Sequence, residues 1–449
     1  MYCTQRPPLL AGPALTSSFS PTYHQIFNVE DENGYPNTFN IVDDAVHASF
    51  FYTPREEVDP LVTHYMMEVV NMQYLLVDSR IPNLIFETVS AHLFSRKAVK
   101  LLAAVYQDRI RRPDDAALVT SQQERYKELR TSLGRRWYTA DDAMAALHVV
   151  SSFLFDGGPG LWSEWLNVAC SYADSVLFDP GYHGPADALM HCDKRMSFVI
   201  KTAMWFDVLA SVTTQTSPHF IDIFRQIFRP GHSGIDDPSV PPHPQLSMMS
   251  VMGCENHVVW AMAETSNLAA WKQDQLNKGC LSVPDLVAKA GDIDASLAMQ
   301  RCPEPMTDDI DLGRHLSRQL TAEVFRSSTR VYLRSVVSGD HPSVHEIIEG
   351  VEETISCLDR VPIRAHEHNV ANSVVRSTVY SIFVCGCLTD NHSHRSFLIA
   401  RLNQKDKNVG NVSSVGKLME RVWRERDENP KGNPVRWREI LKESNMLLV

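Results

Sequence analysis

Positive charge is in deficit: 43 Lys and Arg stand against 54 Asp and Glu in 449 residues, a formal net charge of −11. Binding to nucleic acid needs a cationic footprint, which this composition supplies only as a local patch. Cysteine is sparse too. The nine cysteines fall at 3, 170, 192, 254, 280, 302, 357, 385 and 387, an odd number at irregular spacings. That excludes a disulfide scaffold and predicts reduced thiols in the core of an intracellular protein. Long uninterrupted apolar runs are missing as well. The longest charge-free stretches, 7–29 and 238–254, are broken by prolines, and neither could cross a bilayer as one helix. The first twenty residues hold one Arg and a proline-interrupted apolar patch too short for a signal peptide, so secretion is not expected.

What the chain does have is an apolar fraction of 44%, enough for a sizeable core in one large domain or two to three ordinary ones. Residues 1–55 stand apart from the rest. Six prolines, acidic Glu30, Asp31, Glu32, Asp43 and Asp44, and aromatic Phe27, Tyr35, Phe39, Phe50, Phe51 and Tyr52 interleave there without a helical or strand period. The expectation is an extended acidic and aromatic arm or linker, its rings either docked on its own domain or offered to a coactivator.

From Leu61 the pattern becomes helical. Ala143, Met144, Leu147, Val150 and Leu154 share one face, Asp141 or Asp142 is placed to cap that helix, and Gly157-Gly158-Pro159 to end it. A second stripe, Trp162, Trp165, Ala169, Ala173 and Val176, follows after a turn short enough to make an antiparallel pair. Further periodic segments run over 196–212, 248–271, 312–337, 344–358, 372–388 and 412–428, and Leu316, Leu320, Val324 and Val331 share a face of the longest. Period-two alternation is hard to find anywhere. The fold class expected is all-α: a large helical bundle of antiparallel pairs over 56–449. Pro230, Pro238, Pro241, Pro242 and Pro244, with Gly231 and Gly234, make 230–245 a surface loop joining two halves of that body.

Enzyme motifs fail one by one. Gly410 and Gly416-Lys417 enclose five residues where a phosphate-cradling loop needs four, and Leu418 stands where Ser or Thr would hold magnesium. Gly231-His232-Ser233-Gly234 is one residue short of a nucleophile elbow, and Ser414-Val415-Gly416-Lys417 lacks the companion motifs of a Ser-x-x-Lys hydrolase. His345-Glu346-Ile347-Ile348-Glu349 has the shape of a zinc-protease helix with Glu for the second His; a charged exposed face is the simpler reading. His366, Glu367, His368, Cys385, Cys387, His392 and His394 are the densest group of potential metal ligands. Their spacings match no structural zinc template, and two cysteines two apart on a helix diverge, which leaves buried thiols and a surface histidine cluster. An isoprenoid-type synthase would need aspartates one helical turn apart. The Asp pairs at 43, 114, 141, 236 and 308 are followed at the fifth position by His47, Leu118, Ala145, Val240 and Leu312, which leaves capping and solubility. Of two basic stretches, Arg421, Arg424, Arg426, Lys431, Arg436 and Arg438 are interleaved with acids, a mixed solvated face; Arg96, Lys97, Lys100, Arg109, Arg111 and Arg112 remain a candidate contact for acidic partners.

Six blocks in order carry a resemblance. They are ADDAMAALHVVSSFLFDGGPGLWSEWLNVACSYADSVL from Ala140, TAMWFDVLASVT from Thr202 and VVWAMAETSNLAAWK from Val258; then VYLRSVVSGDHPSV from Val331, VYSIFVCGCLTDNHSHRSF from Val379, and GNVSSVGKLMERVWRERDENP from Gly410, followed by Trp437-Arg438-Glu439-Ile440-Leu441. Together they resemble the regulatory domain of fungal-specific transcription factors. Tyr380-Ser381 stands where that family often has Trp-Pro. Family members usually carry a six-cysteine binuclear zinc cluster N-terminal to this domain, and with Cys3 the only cysteine before 170 the chain as given cannot fold one. It is expected to be a fragment, a truncated product or a cluster-less relative.

The resemblance implies a nuclear, non-enzymatic effector domain without direct DNA binding. Such a domain acts through protein partners, sometimes through a small apolar or metabolic ligand, with dimerisation as a further property. Its family-motif positions here are Trp165, Asp207, Trp271, Gly386, Trp423 and Trp437, expected to be structural. No catalytic residue, metal or cofactor is expected, and ligand contacts stay unassigned. The alternatives are an α-helical enzyme of unrecognised type and a cluster-less partner that dimerises with full-length relatives and titrates them.

Overall fold

The computed structural model describes residues 59–111, 124–131, 133, 137–229, 243–299, 312–362, 368–403, 409–428 and 434–448. The arm expected over 1–55 and the proline-rich loop as far as 242 lie outside them. The described residues are helical almost throughout, and their one β-type contact is an isolated bridge between Pro159 and Met446. The helices used below are α1 (Leu93–Arg111), α2 (Ala140–Phe155), α3 (Trp162–Leu177), α4 (Lys194–Thr214), α5 (Asn256–Asn277), α6 (Val283–Leu297), α7 (Leu312–Ser338), α8 (His345–Asp359), α9 (Val379–Cys387), α10 (His392–Leu402), α11 (Val412–Glu428) and α12 (Trp437–Ser444).

Local chemistry explains where these helices start and stop. Thr139, rather than either aspartate, is the N-cap of α2: its hydroxyl accepts from Asp142 N at 3.2 Å while the Asp142 carboxylate accepts from Thr139 N at 3.0 Å, a reciprocal capping box. At the other end Gly158 N bonds the Phe153 carbonyl at 2.8 Å and Gly157 N the Leu154 carbonyl at 3.1 Å. Both glycines have positive φ, 109° and 99°, which completes a Schellman stop. Asp193 caps α4, Ser282 caps α6 and Asn391 caps α10 in the same side-chain manner. Two expected helices are each divided. Gly253, at φ 64°, breaks the segment expected over 248–271, and Thr378 breaks the one expected over 372–388.

The core is continuous across the sequence. All five face residues of α2 are buried, and so is nearly every other residue from 142 to 155, so this helix is enclosed rather than amphipathic. On α7, Leu320, Val324 and Val331 are buried as expected, whereas Leu316 is exposed. Helix α4 is long and apolar enough to cross a membrane by length and composition, but the structure buries it inside the body. Its enclosure explains why its apolar character runs all round. The hydroxyls that α7 buries return their hydrogen bonds to their own helix or a neighbour: Thr329 to the Phe325 carbonyl, and Ser328 to Ser381 of α9 at 2.7 Å. Gly350 of α8 lies so close to Val331 of α7 that a Cβ there would approach Val331 Cγ2 to 2.8 Å. Small residues thus let these helix axes approach, and burying each large ring in the core contributes about 2–3 kcal/mol.

The segment after α12 ties distant parts of the chain together. Trp162 Nε1 donates to the Asn445 carbonyl at 2.9 Å, Thr213 Oγ1 to the Met446 carbonyl at 2.6 Å, and Asn411 Nδ2 to the Leu447 carbonyl at 2.8 Å. Met446, Leu447 and Leu448 are all buried. One short stretch therefore fills the acceptor needs of α3, α4 and the approach to α11 at once.

Candidate functional site

The six family-motif residues stand on six different helices, and two of them, Gly386 and Trp423, meet. Trp165 is buried within α3. Asp207 of α4 accepts from the backbone N–H groups of His219 and Phe220, both at 3.0 Å, and so holds the start of the helix Ile221–Ile227. Burial pushes its carboxyl up to about 6 despite those two bonds. Gly386 and Trp423 come together: Trp423 Nε1 donates to the Gly386 carbonyl at 2.7 Å, and a Cβ on Gly386 would run into Met419, 2.9 Å from its Sδ. The guanidinium of Arg395 lies over the Trp423 ring and pairs with Asp427 at 2.9 Å. Trp437 is fully buried edge-on against Tyr332 and Phe383, with Nε1 donating to Asp340 at 3.0 Å; Arg438 reaches the same carboxylate at 3.1 Å. Trp271 is the exception, because it lines an open groove.

Two features had no counterpart in the sequence reading. The first is a buried polar cluster. Tyr65 donates to Gln73 at 2.7 Å, and the Gln73 amide reaches His148 Nδ1 at 3.1 Å and Ser151 at 2.9 Å. Burial holds the His148 imidazole neutral, with its pKa down to about 3. His148 Nε2 and the neighbouring Tyr74 hydroxyl have no hydrogen-bond partner among the described residues. Tyr74 and Ser151 also border a cavity of about 110 Å³ closed by Phe155, Trp205 and Val412. The second is the groove between α5, α6 and Ile221–Ile227, of about 900 Å³, with Trp260 and Trp271 on one wall and Lys289 and Ser296 on the other. Only spacing on three separate helices encodes it, which no linear motif reveals.

The chemistry open to these groups is limited. His148 is enclosed and neutral, and burial pushes the Cys385 thiol up to about 12 and Cys387 well above its usual range. Among the described residues no three His, Cys, Asp or Glu side chains gather as a metal site. His345 instead pairs with Glu349 at 3.0 Å on an exposed face. Of the aspartate pairs only 141–142 is described; Asp142 caps, and Asp141 pairs with His92 and Arg195. The basic stretch on α1 is largely engaged at home. Arg96 bonds the Val89 and Ser90 carbonyls, Lys97 pairs with Glu128, Lys100 with Asp59, and Arg109 with Asp156. The stretch from Arg421 is paired in the same way, to Glu425, Glu443, Glu439 and Asp340.

Comparison with known proteins agrees with this picture. The chain is similar to a trichothecene biosynthesis transcription regulator of Trichoderma arundinaceum, 27% identical over 44% of the chain and 43% of that relative. It is similar to the ustiloxin B cluster transcription factor of Aspergillus flavus, 23% identical over 66% of the chain and 49% of the relative. A transcription factor of Nectria sp is 22% identical over 51% of the chain and 37% of its own length. The chain spans about half the length of the curated relatives it matches. No solved structure matches it significantly. The family model described as the fungal specific transcription factor domain matches residues 60–449. That match runs over the whole helical body, and the chain therefore belongs to the fungal specific transcription factor domain family, whose members matched here are transcription regulators and not enzymes.

Proposed function

We propose that the helical body is the effector domain of a nuclear regulator that controls RNA polymerase II transcription through protein partners, with a small-molecule ligand as an input and self-association as a further property. The observation that carries this reading is the family match across 60–449, because it takes in every described helix rather than one motif. The names of two relatives, one a biosynthesis regulator and one a cluster transcription factor, support a set of biosynthetic genes as the target. The six motif residues serve this role structurally: five are buried in the packing or capping contacts just described, and Trp271 lines the groove. The reading keeps the arm over 1–55 as a linker or activating segment and the loop over 230–245 as the joint between two halves of the body.

Deleting the gene in its source organism and sequencing the transcripts tests this. The expected outcome is a change of several-fold in a co-regulated group of biosynthetic genes, restored by reintroducing the chain. Unchanged transcript levels under conditions where the protein is made would contradict it.

A further inference from the structure

We propose that the groove between α5 and α6 binds a planar aromatic acid, a small molecule with a conjugated ring and one carboxylate. This deepens, and rests on, the reading of the body as a regulator with a small-molecule input.

Three observations converge. The groove's volume, about 900 Å³, is that of sites that take small organic ligands. Its charge is unbalanced toward cations. Arg225 is committed to Glu264 through two hydrogen bonds of 2.5 and 3.0 Å, whereas Arg229 and Lys289 have no ion-pair partner among the described residues; Asp292 is the one other carboxylate on the lining. Lys289 Nζ lies 5.4 Å from the centre of the Trp271 ring, which sets a cation beside an aromatic face. A carboxylate answers the two cations, and the ring it carries matches Trp271 and the apolar Leu268 and Ile293.

The test uses the purified full chain with 2-naphthoate and its neutral analogue 2-naphthamide as probes, read by isothermal titration. Naphthoate is expected to bind about fivefold or more tightly than the amide. Lys289→Gln and Arg229→Gln, both at exposed positions, should each bring naphthoate down toward the amide while leaving the melting temperature unchanged. Trp271→Leu should weaken both probes. Equal binding of the two probes, binding indifferent to Lys289→Gln and Arg229→Gln, or no binding by folded chain would each overturn the proposal. So would an acidic, tryptophan-containing peptide that binds through these residues where naphthoate does not, since the groove would then serve a protein partner. Because binding is measured without transcription, its failure leaves the regulator reading standing; intact binding with no effect of gene deletion on transcripts removes that reading and keeps the site.

Discussion

His148 is wholly enclosed, and its imidazole makes one hydrogen-bond contact, to Gln73. Because burial lowers its folded pKa from 6.5 to about 3, the unfolded chain takes up a proton between those values and the folded chain does not. Its contribution to stability is therefore present above about pH 6.5 and lost as the pH falls. Between pH 7 and pH 5 this group alone should remove about 2 kcal/mol. Urea unfolding of the wild type and His148→Asn at the two pH values checks this: the wild-type loss should exceed the variant's by about that amount, and equal losses would mean His148 titrates normally. Gly386 is a second residue whose role is set by space. Gly386→Ala should cost about 1–3 kcal/mol through Met419, and combining it with Met419→Ala should recover part of that cost. Strictly additive energies in that double-mutant cycle would show that the close approach is not the cause. Sequence alone marked Gly386 through resemblance, but not the methionine that makes its missing side chain matter, because the two lie on different helices. His148 sat inside a block quoted for its apolar face, and nothing local in the sequence distinguishes a buried histidine from an exposed one.

Among the elements, α12 is joined twice to one carboxylate, Asp340, by the Trp437 N–H and by the Arg438 guanidinium. Asp340→Ala leaves the Trp437 N–H without its acceptor and removes the ion-pair partner of Arg438, a change expected to cost about 2 kcal/mol. Trp437→Phe removes the N–H donor and leaves a cavity beside Tyr332 and Phe383, and should also cost about 1–3 kcal/mol. Hydrogen exchange over 437–448 should quicken in Asp340→Ala, whereas protection equal to the wild type would mean that α12 is held without it. The α2–α3 pair was legible from the sequence because apolar period, glycine pair and proline agreed there. Helix ends were less so. Asp141 and Asp142 were the expected caps of α2, yet Thr139 takes that place, since an N-cap must precede the first helical turn and Asp142 lies inside it. The divisions at Gly253 and Thr378 escaped the reading because apolar spacing continues across both breaks. The role of the segment after α12 was invisible, because its partners Trp162, Thr213 and Asn411 are far away in sequence.

At the scale of the molecule, the described residues form a helical body whose charged groups largely engage one another and whose thiols are largely buried. Its class was legible from the absence of strand alternation and from the order of six degenerate blocks, none of which is specific alone. The groove lined by α5, α6 and Ile221–Ile227 was not, because it arises where the faces of three helices meet. The most direct test of the central claim tethers residues 1–449, and separately 57–449, to an unrelated DNA-binding domain and measures reporter transcription in a fungal nucleus. The account predicts activation or repression relative to the DNA-binding domain alone, with the helical body contributing to it. Folded, nuclear protein that leaves the reporter unchanged in both forms, across several nutrient conditions, would contradict it.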